Sequence, residues 1–343
     1  MRVRHPLIEL TAARVREFVR QPEAVFWVFA FPLILAMALG FAFREKPPDR
    51  IPVGVLTGSA TDLGEALKSS PALKVIELDE AEGKEALRTG RISLLVDARE
   101  QVSIALDETR PDARIARLEA SEAIQRAAGR QDVVQIGETK VEEKGSRYID
   151  FLIPGLLGMN LMGTGMWGVG FSVATARMQK LLKRLIATPM SKTHYFLAFM
   201  FSRLTFLVLE VVVIVAFGWL VFDVAIRGSI VLFALVSLLG AFTFSGMGLL
   251  VASRAQTLEG VSGLMNLVMV PMWILSGVFF SSERFPDWAQ PFIQLLPLTA
   301  LNDSLRAVMI EAAGLGAVAF DLAVMAGWLV ISFLIALKIF RWT

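Results

Sequence analysis

The sequence contains no cysteine and only two histidines among its 343 residues. The absence of cysteine excludes disulfide bonds, thiolate metal ligands and cysteine nucleophiles. The histidines, His5 and His194, lie far apart, and no H-x-x-x-H or H-E-x-x-H pattern occurs, so we expect no metal site. The chain also lacks the G-x-S-x-G nucleophile motif and the G-x-x-x-x-G-K-S/T phosphate loop. These absences predict a protein that is not an enzyme and that binds no cofactor itself.

Hydrophobic residues make up 55% of the chain, and its mean hydropathy is +0.59. A soluble protein of this length would not need repeated apolar runs of about 20 residues, the length at which a helix crosses a bilayer. The first run follows several arginines, as in a signal peptide, but it is long enough to span a membrane and is predicted to remain uncleaved. The predicted transmembrane helices are 24–43, 149–174, 196–222, 229–252, 260–281 and 318–340.

Between the first and second runs lies a polar segment, residues 44–148. It holds half of the Lys and Arg residues of the chain and more than half of its Asp and Glu residues. Strand-like stretches alternate in it with helical patterns, which is typical of a small α/β domain. The predicted fold class is therefore an α-helical polytopic membrane protein with six transmembrane helices and an inserted α/β domain. The predicted divisions are an interfacial helix (1–21), the first transmembrane helix (22–43), the α/β domain (44–148) and the remaining five transmembrane helices (149–343).

Short basic segments predict the orientation, because Lys and Arg accumulate in the cytoplasmic loops of membrane proteins. Both termini, the segment 176–194 and Arg254 are basic and are predicted to be cytoplasmic. The α/β domain and residues 282–314 are then extracytoplasmic. Prolines and polar residues interrupt 282–314, so we expect short interfacial or re-entrant helices there and no full span. The predicted location is a bacterial plasma (inner) membrane.

Two amphipathic segments are predicted on the cytoplasmic side. Residues 6–21 place apolar side chains between arginines, which favours a helix on the membrane surface, although an ordinary solvated helix has the same pattern. The segment 176–194 contains no Asp or Glu. Its leucines lie on one helical face and its basic residues on the other, and Pro189 ends this helix before Ser191 caps the next span. It either rests on anionic lipid headgroups or docks into a cytoplasmic partner.

Ionisable residues inside the apolar runs are the other functional candidates, because a charge inside a membrane is unfavourable without a partner. Glu210 lies near the middle of the third run, and Arg203 lies seven residues earlier on the same face, about 10 Å away along the axis. At that distance the two side chains make no direct contact unless they lean toward each other. Glu210 could line a substrate cavity or a subunit seam, or it could be a buried acid that is hydrogen-bonded or protonated. Asn160 and Asn266 are weaker candidates. Asn266 is predicted to stabilise a contact between helices rather than to bind a ligand.

Short motifs in a fixed order resemble the permease subunit of ABC-2 type exporters, in the lineage with a large extracytoplasmic domain between the first two spans. The motifs are 151–155 (FLIPG), 185–191 (LIATPMS), 271–280 (PMWILSGVFF), 296–299 (LPLT) and 303–306 (DSLR). The ordered set covers nearly the whole chain. The family often carries an acidic Glu-Arg-Glu-x-Gly-Thr run before its coupling element, whereas residues 176–182 read ARMQKLL, without an acid or a glycine.

The resemblance implies that the chain is half of a transmembrane pore and pairs with a second permease chain, identical or related. Two copies of a separate cytoplasmic ABC ATPase would hold ATP and magnesium and push on the segment 176–194. An apolar lining with few charges favours amphipathic cargo, a drug or lipid-like molecule; membrane lipids are further partners, and no nucleic acid is expected. The implied coupling residues are Arg177, Lys180, Leu181, Arg184, Leu185, Thr188, Pro189 and Ser191. The implied outer-gate residues are Pro271, Ser276, Gly277, Phe279, Phe280 and Pro297. The cavity or dimer-seam candidates are Glu210, Arg203, Asn160 and Asn266.

Two other function classes stay open from the residues alone. A membrane-anchored protein could bind or sense a ligand through residues 44–148, without any dependence on ATP. An intramembrane enzyme is the least supported class, because only Glu210, Arg203 and two asparagines are available within the spans.

Overall fold

The computed structural model describes residues 16, 19–43, 50–59, 61–99, 101–130, 145, 147–180, 192–253 and 257–339. The chain forms two compact units. The membrane unit comprises residues 1–44 and 142–343, and the polar unit comprises residues 45–141. Most of the predicted interfacial helix, 1–21, lies outside the described residues.

Within the described ranges, six helices are long and apolar enough to cross a membrane: Pro22–Ala42 (α1), Tyr148–Met178 (α5), Lys192–Phe222 (α6), Ile230–Ala252 (α7), Leu258–Leu275 (α8) and Ala319–Ile339 (α11). The six predicted transmembrane helices are therefore present. The elements in chain order are α1 (Pro22–Ala42), β1 (Ile51–Leu56), α2 (Thr61–Ser69), β2 (Leu73–Leu78), α3 (Glu80–Arg88), β3 (Leu94–Asp97), β4 (Ser103–Leu106), α4 (Pro111–Ala127), α5 (Tyr148–Met178), α6 (Lys192–Phe222), α7 (Ile230–Ala252), α8 (Leu258–Leu275), a 3-10 turn (Ser282–Arg284), α9 (Gln290–Gln294), α10 (Pro297–Met309) and α11 (Ala319–Ile339).

The fifth transmembrane helix ends earlier than the sequence pattern indicates. We expected it to run to residue 281, but α8 ends at Leu275. Gly277 follows with φ +69°, a left-handed conformation that ends a helix and that glycine adopts without a steric penalty. The apolar residues beyond it continue into a buried turn that includes Val278. Hydropathy alone does not distinguish such an apolar turn from a helix that continues.

Helix α5 forms the centre of the membrane unit and contacts α1, α6, α7, α8 and α10. Its closest partner is α7. A Cβ atom on Gly248 would lie 2.7 Å from the carbonyl oxygen of Met166, so glycine is needed for this close approach of two helices. The other spanning helices turn large apolar side chains outward, as expected of helices that face lipid; examples are Trp27, Leu220, Leu267 and Leu334.

Residues 282–314 form the 3-10 turn and the short helices α9 and α10. Pro291 and Pro297 stand in the first turns of α9 and α10, where a helix does not use the backbone N–H that proline lacks. Helix α10 is almost wholly buried and contacts α5, α7 and α11. This segment therefore adds a buried helix between the spanning helices.

The polar unit is built on a four-stranded sheet in the order β2-β1-β3-β4. Strand β1 runs parallel to β2 and β3, while β4 pairs antiparallel with β3. On one face, Val53 packs with Leu67 of α2 and Ala120 of α4. On the other face, Leu56 packs with Ala86 of α3. Because side chains alternate along a strand, the sheet buries both of its faces and the unit has its own core.

Candidate functional site

The two charged residues of helix α6 form a buried ion pair. Nη1 of Arg203 donates hydrogen bonds to Oε1 of Glu210 at 3.0 Å and to Oε2 at 3.3 Å. Their side chains are 8% and 1% exposed. The sequence separation of seven residues allowed contact only if both side chains leaned together, and the structure meets that condition. Each charge therefore has the partner that burial in a membrane helix requires.

Helix α5 supplies further partners for this ion pair. Oγ1 of Thr164 lies 2.9 Å from Oε2 of Glu210 and also 2.9 Å from the carbonyl oxygen of Asn160. The second guanidinium nitrogen of Arg203 donates to the carbonyl oxygen of Leu161 at 3.3 Å. Thr164 has one hydroxyl proton, which it can donate to either acceptor. Its hydrogen bond can therefore switch between Glu210 and the carbonyl of Asn160. These contacts join α6 to the central helix.

Asn160 extends the contacts to helix α1. Its Nδ2 atom donates to the carbonyl oxygen of Val28 at 3.1 Å. Val28 lies in a π-helical segment, Phe26–Ala30, and the residue four positions on is Pro32, which has no N–H. Asn160 thus replaces the donor that an ordinary helix would provide. We call Val28, Asn160, Thr164, Arg203 and Glu210 the polar network; it links α1, α5 and α6.

Asn266, the fourth cavity or seam candidate, is not part of the polar network. It lies on α8 between the exposed side chains of Leu264 and Leu267 and is itself exposed. An exposed asparagine on a spanning helix faces either lipid or another chain. The sequence therefore named three members of the network, and the structure places the fourth candidate, Asn266, on a different surface.

The predicted outer gate is a turn held by hydrogen bonds from side chains of other elements. Nδ2 of Asn302 donates to the carbonyl oxygen of Ser276 at 2.8 Å, and Arg306 donates to the carbonyl oxygen of Gly277. The hydroxyl of Tyr148 donates to the carbonyl oxygen of Phe279 at 3.0 Å. These contacts bind the turn that follows α8 to α10 and to the start of α5. Of the other gate candidates, Pro297 begins the buried α10, while Pro271 and Phe280 are exposed.

Arg306 of α10 joins this turn to α5. Its guanidinium lies 3.7 Å from the centre of the Phe151 ring, and its Nε donates to the carbonyl oxygen of Phe151 at 3.3 Å. Its other nitrogens reach Gly277 and Asp303. Burial lowers the pKa of Arg306 to about 10, while Asp303 acts in the opposite direction. The group therefore stays charged at neutral pH.

Sequence reasoning missed the roles of Tyr148, Asn302 and Arg306. Arg306 belongs to the motif 303–306 that carried the family resemblance, but the motif by itself gave it no partner. The sequence feature that pointed to such roles was the set of polar residues among the apolar residues of α10, because a buried charge needs a partner. The partner, Phe151, is 155 residues away in sequence.

The predicted coupling residues are described only in part. Nη1 of Arg177 donates to the carbonyl oxygen of Ala252 at 3.0 Å, at the end of α7, where a cation is favoured by the helix dipole. Lys180 is exposed and has φ +54°. The other members lie outside the described residues: Leu181, Arg184, Leu185, Thr188, Pro189 and Ser191.

Arg203 and Glu210, the buried charged residues of α6, are paired with each other and are not part of a metal site. In the part of the chain that the structure describes, no three His, Asp or Glu side chains stand where they could hold a metal ion. What the arrangement provides is a central helix, α5, tied by side-chain hydrogen bonds to α1 and α6 along its length and to α10 at its Tyr148 end. Such an arrangement is that of a polytopic membrane protein whose helices are joined by side-chain hydrogen bonds.

Comparison with known proteins places this membrane protein in a family. The model of the family described as "ABC-2 family transporter protein" matches residues 23–338, and the chain belongs to this family. The resemblance that the motifs indicated is confirmed.

Individual relatives match about half of the chain. The chain is 29% identical over 171 residues to "Inner membrane transport permease YadH" of Escherichia coli, which is 50% of this chain and 66% of that protein. It is 24% identical over 165 residues to "Probable multidrug ABC transporter permease YbhR" of E. coli, 48% of this chain and 45% of that protein. It is 25% identical over 170 residues to "ABC transporter G family member 20" of Dictyostelium discoideum, 50% of this chain and 23% of that protein. The chain thus matches less than two thirds of the length of each relative.

Proposed function

We propose that the chain is the transmembrane permease subunit of an ATP-driven exporter that moves amphipathic, drug-like or lipid-like molecules out of the cytoplasm or inner membrane. The observation that carries this proposal is the family match over residues 23–338, which include all but the ends of the six spanning helices. Two matched relatives are named as permeases, one of them as a probable multidrug permease.

The cargo class follows from the charges of the membrane unit. The charged pair inside α6 is neutralised internally, because Arg203 and Glu210 bind each other. The outward faces of the spanning helices are apolar. A pathway between such helices favours a molecule with a substantial apolar part over a small hydrated ion.

In this proposal the energy source is a separate ATPase subunit, and the sequence given contains no phosphate loop. Two copies of this cytoplasmic ABC subunit, with ATP and magnesium, dock on the segments 176–194 of two permease chains. The second chain covers the exposed face of α8 that carries Asn266. In this arrangement both termini are cytoplasmic, the chain lies in the inner membrane, and residues 44–148 are extracytoplasmic.

Helix α5 is the mechanical link in this proposal. It runs without a break for 31 residues, about 46 Å at 1.5 Å per residue, from Tyr148 to Met178. Its Met178 end leads into the coupling segment, and its Tyr148 end holds the turn at Phe279. A push on the coupling segment therefore moves the residues that bind the outer gate. The polar network makes α1 and α6 follow α5.

The test is to co-express the chain with an ABC ATPase of the same genome and to compare two Leu→Asp variants. Leu185→Asp places a charge on the proposed docking face, whereas Leu118→Asp makes the same change at an exposed site of the polar unit. We expect the ATPase to co-purify with the wild type and with Leu118→Asp, and to be lost with Leu185→Asp, together with cargo-stimulated ATP hydrolysis. Equal co-purification and hydrolysis for both variants would contradict the proposal.

A membrane-anchored binding protein is the second candidate function. The observation that favours it is that the polar unit has a core of its own on both faces of its sheet. It predicts that residues 45–141 bind a cell-wall component or soluble ligand with the same affinity whether or not ATP and the ATPase are present. Dependence of binding on ATP assigns the polar unit to the transporter instead.

A further inference from the structure

Three polar groups are buried where the turn after α8 meets α10, and none has a hydrogen-bond partner among the described residues. They are the hydroxyls of Ser276 and Thr299 and the side-chain oxygen of Asn302, and we call them the orphan groups. The three residues are at most 1% exposed. A buried polar group without a partner has lost its hydrogen bonds to water and gained none in their place. Each orphan group therefore destabilises the packed turn.

The amide of Asn302 is held in one orientation. Its Nδ2 atom donates to the carbonyl oxygen of Ser276 at 2.8 Å. The reverse orientation would bring two acceptor oxygens together, so the amide oxygen is the end that is left without a donor. This oxygen faces Gly158 of α5, where any side chain would collide with it. Gly158 therefore leaves room for the oxygen without supplying a polar side chain.

The orphan groups lie near one another and near the exposed part of the turn. Thr299 precedes Asn302 by three residues, which places both on the same side of α10. Asn302 in turn contacts Ser276, the residue that follows α8. Further along the turn is the 3-10 segment Ser282–Arg284, where Glu283 is exposed. Water is therefore excluded from the orphan groups but lies a few residues away along the chain.

Two sets of groups act on this turn in opposite directions. Asn302, Arg306 and Tyr148 donate hydrogen bonds to its carbonyl oxygens and hold it closed. The orphan groups favour its opening, because they regain hydrogen bonds only when water reaches them. The closed and open states are thus closer in free energy than the three donated hydrogen bonds alone would make them.

We propose that the orphan groups keep the outer gate poised to open. In the closed state the turn packs against α10 and α5 without water. In the open state the turn separates from α10, and water hydrates the hydroxyls of Ser276 and Thr299 and the amide oxygen of Asn302. The inference rests on the proposed function only in naming this turn as the outer gate. Its consequence is that removing an orphan group stabilises the closed turn, whereas removing a paired buried group would destabilise it.

Two substitutions each remove one orphan hydroxyl. Thr299→Val exchanges the hydroxyl for a methyl group of the same shape, and Ser276→Ala removes the hydroxyl. The matched control is Ser332→Ala on α11. The hydroxyl of Ser332 is also buried and without a partner in the described part of the chain, but it belongs neither to the turn nor to α10.

Opening of the gate is measured by labelling a cysteine at Val278. The chain contains no cysteine, and Val278 is fully buried in the turn. A water-soluble thiol reagent therefore reaches Val278→Cys only when the turn opens. The full chain is purified, placed in lipid nanodiscs and labelled over time. Phe280→Cys, at an exposed position, gives the rate of the reagent itself.

We expect Thr299→Val and Ser276→Ala each to slow the labelling of Val278→Cys by about tenfold, and Ser332→Ala to leave it unchanged. Denaturant unfolding in mixed micelles is the second measurement, and both gate variants should unfold at a higher denaturant concentration. Equal labelling rates in all variants would overturn the proposal. Equal slowing by Ser332→Ala would do the same, because the effect would then not be local to the turn.

Faster labelling or easier unfolding of both gate variants is also a contradicting result. It would mean that a bound water or another partner satisfies these hydroxyls in the closed turn. The labelling assay needs neither the ATPase nor a cargo, so its failure is distinct from failure of the proposed function. Slowed labelling without co-purification of an ATPase would support the two states of the turn and remove the exporter role. Unchanged labelling with a co-purified ATPase would do the reverse.

Discussion

The side-chain amide of Asn160 and the backbone carbonyl of Val28 meet at 3.1 Å across two spanning helices. The donor that an α-helix would give the Val28 carbonyl is missing, because Pro32, four residues on, has no N–H. In hydrocarbon no water can take the place of that donor. The π-helical segment of α1 and the asparagine of α5 are therefore parts of one contact, and the polar network continues from Asn160 to Glu210.

Substitution of Asn160 by leucine is expected to destabilise the membrane unit. The change keeps the volume but removes the hydrogen bond from Asn160 to the carbonyl of Val28, and the loss of such an interhelical bond in membrane proteins costs about 0.6–2 kcal/mol. Denaturant-induced unfolding of the purified chain in mixed micelles measures the effect. The control is Asn266→Leu, because Asn266 is exposed on α8. An unfolding free energy lowered equally by both substitutions would contradict the role of the Val28 contact.

The ion pair of α6 is expected to show strong coupling in a double-mutant cycle. Either Arg203→Met or Glu210→Leu leaves one buried charge without its partner, and the unfolding free energy should fall by about 3–5 kcal/mol. The double variant removes both charges and should be more stable than either single variant. The same micelle unfolding assay measures all three. Additive losses would mean that the two side chains do not stabilise each other in the membrane.

Replacing Arg306 by lysine is expected to uncouple the outer gate. Lysine keeps the charge but cannot make the fork of hydrogen bonds to Phe151 and Gly277 while stacking on the Phe151 ring. We expect cargo efflux from vesicles that contain the ATPase to fall by about tenfold or more, since stacking and one charged hydrogen bond together exceed 1.4 kcal/mol. ATP hydrolysis should continue.

The control for this substitution is Arg284→Lys, in the exposed 3-10 turn. It makes the same chemical change at a residue on the surface and should leave efflux unchanged. If Arg306→Lys transports as well as Arg284→Lys, the fork of contacts around the turn is not needed for transport.

The polar unit is expected to lose stability in acid. Hydrogen bonds from Arg110 and Ser93 hold the pKa of Asp112 below its usual value, and Lys68 lowers the pKa of Glu77 in the same way. A carboxyl whose pKa is lower in the folded state stabilises that state above its unfolded pKa. The contribution is lost as pH falls through the folded pKa. The unfolding temperature of residues 45–141 should therefore drop below about pH 4.

The variant that isolates this effect is Asp112→Asn. It should unfold at a lower temperature than the wild type at pH 7 and show a smaller further decrease between pH 5 and pH 3. Glu108→Gln, at an exposed position on the loop before α4, serves as the control. Parallel pH profiles for the wild type and Asp112→Asn would contradict the role of Asp112.

The spanning helices could be located from sequence because the bilayer sets their length and composition locally. Each apolar run corresponds to a helix, and the main error was at the end of α8, where the turn at Gly277 is as apolar as the helix before it. The pairing of Arg203 with Glu210 could be predicted from the sequence only in part. Spacing placed both residues on one face, but only the side-chain conformations decided that they meet.

The sequence by itself determined that this is a protein of six spanning helices with a polar insertion and no phosphate loop. Its ordered motifs also indicated the family. The tertiary structure decided which polar groups meet: Asn160 with Val28, and Arg306 with Phe151 across 155 residues. It also decided where a glycine, Gly248 of α7, lets two helices approach closely. The physical reason is that hydropathy and helix length act within one segment, whereas hydrogen bonds and cavities between helices depend on how distant segments pack.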